Sequence, residues 1–167
     1  MTASFPPLDA NGLTSPFGML RYAEEYRRAA ELVHVEEALL MPAYTLLGHC
    51  YELALKAYLL ARGIPEEELS RRPFGHDLEA LWKEASARRI DRLFPMAIIA
   101  PDVIATLNTH FKTHEFRYIK TGLKTVPKWE FAANLAKNLT HGLHDFCLRK
   151  RLGKQAANER IRARGKF

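Results

Sequence analysis

The sequence predicts an all-α protein, an antiparallel helical bundle of about five helices. Three observations carry that prediction. Apolar residues recur three and four positions apart along most of the chain, the spacing that gathers them on one face of an α-helix. No segment sustains the alternation of apolar and polar residues that a half-buried strand needs. The segment from Leu46 to Leu60 is apolar almost all round, so it requires packed neighbours on every side.

The elements follow in order. Residues 1–14, which include Pro, Asn and Gly, read as an extended N-terminal arm. The first helix should start at Ser15-Pro16, where Ser caps and Pro suits the first helical position. Met19, Tyr22, Tyr26, Ala30 and Val33 give its apolar stripe. Pro42 punctuates the chain, and a second helix runs to about Arg62. Gly63 supplies a left-handed cap there and Pro65 forbids continuation. The third helix begins near Gly75-His76-Asp77, with Asp77 as a cap or first-turn acid, and ends by Arg89. Pro101 opens the fourth, with Ile104, Leu107 and Phe111 inward. A loop rich in aromatic and polar residues follows, with His114, Phe116, Arg117 and Tyr118. Thr125-Val126-Pro127 marks the start of the last helix, whose core face is Ala132, Leu135, Ala136, Leu139, Leu143 and Phe146.

Length and composition bound the rest. A chain of 167 residues makes one ordinary domain. With 47% hydrophobic and 26% charged residues it is neither disordered nor fibrous. Its two cysteines, Cys50 and Cys147, exclude a disulfide scaffold; both fall in apolar helical patterns and read as buried thiols. No apolar run is long enough for a membrane span, and the first residues lack a signal peptide's pattern, so a cytoplasmic setting is expected. The net charge of +6 is unevenly placed. Residues 149–167 hold eight basic residues and one acid, a local +7, while the rest of the chain is −1. The bundle is therefore assigned to residues 15–150 and a basic tail to 151–167. Arg149, Lys150, Arg151, Arg160, Arg162 and Arg164 are candidates for phosphate contact with a nucleic acid, or else form a solvated end.

At the second and third helices the sequence resembles the HEPN domain. The words are Glu52-Leu53-Ala54-Leu55-Lys56-Ala57-Tyr58-Leu59, then Gly63, then Gly75-His76-Asp77-Leu78-Glu79-Ala80-Leu81; Phe116-Arg117-Tyr118 is similar to a loop word of relatives. The resemblance covers about 45 residues. It implies a helical bundle, often a homodimer, and a setting among toxin–antitoxin or stress systems. Many members cleave RNA without a metal or partner a small nucleotidyltransferase. Ribonuclease members carry an Arg and a following His separated by four to six residues near the start of a late helix. Here Arg27 and Arg28 precede His34, and Arg71 precedes His76, at fitting distances, but the last helix carries no such pair. The expected function is thus a nucleotide-, RNA- or protein-binding module, with a metal-independent ribonuclease as the alternative.

His49, Glu52 and Lys56 are the strongly polar residues of the second helix, and their spacing aligns them on one face. With His76 and Asp77 nearby they form either an ion pair that fixes helix register or a pocket for a phosphate or small ligand. Arg117 and Tyr118 could add phosphate contact and stacking. His110 and His114 are four apart, but no acid completes a recognised set, Glu115 being placed about a quarter turn away, so no metal site is expected. No cofactor is implied, and no nucleophile elbow or Gly-rich phosphate loop is present.

Overall fold

A computed structural model describes residues 14–36, 39–115 and 122–164. Seven α-helices are present among them: α1 (Pro16–Glu36), α2 (Leu40–Ala61), α3 (Glu66–Leu69), α4 (Leu78–Ala87), α5 (Ala100–Phe111), α6 (Trp129–Leu152) and α7 (Lys154–Arg164), with one 3-10 turn at Ile90–Leu93. No strand occurs among the described residues. The all-α prediction holds. The two additional helices have plain causes. α3 is a single turn, too short to show a period. α7 is mostly polar, with only three alanines and Ile161 apolar, and Ala157 is fully buried against the bundle. Part of the segment read as a basic tail is therefore a helix packed on α6.

α2 is the central rod. It packs against α1, α4, α5 and α6, and thirteen of its residues are buried. A link of three residues returns the chain from α1 to α2, and the two pack along their lengths as an antiparallel pair. Tyr26 of α1 accordingly lies 5.3 Å from His49 of α2, ring centre to ring centre. α4 and α5 pair with each other across another side of α2, and α6 lies against both α1 and α2.

The ends of these helices follow local rules. Ser15 Oγ accepts the Gly18 N–H at 3.0 Å and caps α1. At the end of α2, Gly63 adopts φ +95°; its N–H donates to the Leu60 carbonyl and the Ile64 N–H to that of Leu59, closing a Schellman motif over the buried Ile64. Asp77 caps α4, accepting from the N–H groups of Glu79 and Ala80. Two details differ from expectation. Pro42 lies within the first turn of α2 rather than ahead of it, where its missing N–H costs no helical bond. Tyr22 is 42% exposed, because the core face of α1 runs through Met19, Leu20, Ala23 and Ala30.

Three tyrosines one heptad apart, Tyr44, Tyr51 and Tyr58, fix α2 in register with its neighbours. All are buried, and their hydroxyls donate to the carbonyls of Pro127, Ala132 and Arg88, respectively. Each such bond contributes on the order of 1 kcal/mol net and satisfies a hydroxyl that would otherwise be buried unpaired. Burial raises the Tyr51 pKa well above its ordinary value, and it raises that of Tyr44, to which the Glu130 charge adds. Among the described residues no helix is long and apolar enough to cross a membrane.

Candidate functional site

The polar line on α2 faces inward. Glu52 is 5% exposed, a carboxylate inside an apolar rod, and such a charge persists only with partners. It has three. Lys56 Nζ donates to Oε1 at 2.6 Å, in the favourable i,i+4 orientation. His76 Nδ1 lies 3.0 Å from Oε2 and His49 Nδ1 lies 3.8 Å from it. A carboxylate only accepts, so the His76 Nδ1 carries the hydrogen of that bond. Among the described residues the other ring nitrogen, Nε2, has no hydrogen-bond partner, and the His76 side chain is 42% exposed. The site thus runs from a buried acid, through an imidazole, to the surface.

Other rings complete it. Phe111, the last residue of α5, sits edge-on to His49 at 5.2 Å and to His76 at 6.4 Å. His114 lies beyond the end of α5, at φ +57°, and its ring is 5.0 Å from that of His76. His49 and His76 therefore flank Phe111, and His114 extends the group through His76. Gly48 makes this possible, since a Cβ there would run into the Phe111 ring.

The turn that presents His76 is held from below. Asn108 of α5 is fully buried. Its Oδ1 accepts the Leu78 N–H at 2.9 Å, and its Nδ2 donates to Asp77 Oδ1 at 2.9 Å and to Glu79 Oε2 at 2.7 Å. Asp77 Oδ1 thus serves the α4 cap and the Asn108 amide.

A second charged cluster lies close in sequence. Glu115 folds back on α5, placing Oε2 2.9 Å from His110 Nδ1 and 3.0 Å from Lys124 Nζ. Bonds from His110 first and Lys124 second hold its pKa down to about 2. The expectation that Glu115 turns away from His110 is corrected here. The helix ends at Phe111, so helical spacing no longer governs residue 115. Among the described residues no group of three or more His, Cys, Asp or Glu side chains is arranged to hold a metal ion.

The sequence-predicted residues are distributed as follows. The structure brings together His49, Glu52, Lys56 and His76, with Asp77 beside them. Arg117 and Tyr118 lie outside the described residues. Arg149, Lys150, Arg151, Arg160 and Arg162 are exposed on α6 and α7, and Arg151 and Arg160 also line a cleft between helices. The Arg164 side chain lies outside the described part. His114, Phe111 and Asn108 were not read from the sequence as members of this site. The sequence places His114 and Phe111 in the aromatic loop that could stack a base, and His114 also beside His110, but nothing local reveals that the end of α5 meets the turn before α4.

No family model matches the chain. No curated protein and no solved structure is similar to it.

Proposed function

We propose that the chain is a HEPN-like helical binding module that engages a phosphate-bearing ligand, a nucleotide or RNA, where His76 and His114 meet at the surface. The observation that carries this is the buried Glu52 carboxylate bonded to a half-exposed His76. A carboxylate behind an imidazole fixes the ring's orientation, and a ring so fixed at the surface can meet phosphate oxygens. The exposed bases Arg149, Lys150 and Arg162 supply further attraction for a polyanion. The resemblance adds a homodimeric module with a nucleotidyltransferase partner in a toxin–antitoxin or stress system, and the sequence patterns add a cytoplasmic setting. The test is anisotropy of a labelled RNA oligonucleotide and a labelled nucleotide at low and moderate salt. The reading requires saturable binding of at least one, weakened about tenfold by His76→Ala. Binding of neither, or binding indifferent to His76, overturns it.

One observation favours the alternative, a metal-independent ribonuclease. His76 in its neutral form presents a bare Nε2 backed by a carboxylate, the arrangement of a general base, and His114 5.0 Å away could serve as the acid. RNA cleavage that survives a chelator and disappears in both His76→Ala and His114→Ala would select it.

A further inference from the structure

A cleft of about 620 Å³ lies between the first turns of α1, the last turns of α6, and α7. It shares no residue with the Glu52 site. That volume is in the range of roughly 300–1,000 Å³ common for small-molecule sites. Its apolar lining comes from Phe17, Leu148, Leu152 and Ile161. Its cationic lining comes from Arg21 of α1, Arg151 of α6 and Arg160 of α7.

We propose that this cleft is a binding site for a small amphipathic anion, an alkyl or aryl phosphate whose apolar body lies on Leu148, Leu152 and Ile161 while its head meets the arginines. Three guanidinium groups brought to one cavity by three separate helices repel one another, and an anion between them reverses the sign of that interaction. Two acids also face the cleft, Glu24 and Asp145. Asp145 is bonded to His144 Nδ1 at 3.0 Å. Among the described residues no carboxylate lies within ion-pair distance of Arg21 or Arg160. Arg151 sits with its guanidinium 5.9 Å from the Phe17 ring, which leaves a planar charge at the boundary between the apolar and cationic linings. Guanidinium forks match a phosphate head in both geometry and charge. A nucleic acid backbone has no use for an aliphatic floor and would contact the outward Arg149, Lys150 and Arg162 instead.

Calorimetric titration of the full chain with octyl phosphate tests this, with octanol and inorganic phosphate as controls. One octyl phosphate should bind per chain. Arg21→Gln and Arg160→Gln, both at exposed positions, should each weaken it about tenfold, and both controls should bind at least about tenfold more weakly. Amide exchange in α7 should slow when octyl phosphate is present, because α7 forms one wall. The proposal is overturned by no saturable binding up to about 1 mM, by equal affinity in both arginine variants, by inorganic phosphate binding as tightly as its octyl ester, or by binding that leaves α7 exchange unchanged. None of these outcomes depends on RNA or nucleotide binding at His76.

Discussion

His76 Nδ1 lies 3.0 Å from Glu52 Oε2, so an acid in the middle of the central helix bonds an imidazole that reaches solvent 24 residues later in the chain. The same carboxylate takes Lys56 at 2.6 Å on its other oxygen. Breaking such a buried set and replacing it are different experiments. Glu52→Ala strands the largely buried Lys56 charge and should cost about 3 kcal/mol in urea denaturation. The double variant Glu52→Leu/Lys56→Met removes both charges and should fall within about 1 kcal/mol of the parent. A double variant as unstable as the single one would show that the pair is not the main stabilising feature there.

Asn108 holds the turn beneath His76 by three hydrogen bonds and has no exposed surface. Asn108→Ala leaves the Leu78 N–H buried without its acceptor and should cost about 2 kcal/mol. It should also broaden the His76 ring resonances, since the presenting turn loses its anchor. A loss of stability with unchanged His76 resonances would mean that Asn108 supports α4 but not the site.

Glu115 gives the pH dependence a definite sign. Bonds from His110 and Lys124 lower its pKa from 4.5 to about 2 in the folded chain. Between those values the unfolded chain binds a proton that the folded chain does not. Its contribution to stability is therefore present in full above about pH 4.5 and is lost as pH falls toward 2. Glu115→Gln should be less stable than the parent at neutral pH and lose less on acidification through this window. Urea midpoints measured across it check the prediction; parallel curves would contradict it.

Cys50 and Cys147 are both buried, and desolvation pushes each thiol up to about 12. Neither should react with a thiol reagent at mildly alkaline pH while the chain is folded, because the thiolate is the nucleophile. Both should react in denaturant. Rapid native labelling of either would show that its helix opens readily.

Local rules made much of the fold legible. Ser15, Gly63, Asp77 and Pro101 punctuate helices by backbone chemistry that depends only on nearby residues. The apolar circumference of residues 46–60 placed α2 at the centre for the same kind of reason. What failed was non-local or weakly patterned. α7 buries little beyond Ala157 and so leaves no stripe to read. The Glu52–Lys56 pair was visible as an i,i+4 spacing, and His76 was a conditional neighbour. His114 reaches His76 only because the chain leaves the helical path after Phe111, with His114 at positive φ. The tyrosine hydroxyls of α2 find carbonyls 30 to 83 residues away, which no spacing within α2 announces.

The most direct test follows the imidazole nitrogens of the ¹⁵N-histidine-labelled chain while a short RNA or a nucleotide is added. The account predicts that free His76 carries its hydrogen on Nδ1, and that the ligand shifts the His76 and His114 rings while leaving the exposed His141 unmoved. Shifts confined to His141 or to the basic C-terminal helix, with His76 and His114 unchanged at saturation, would contradict it.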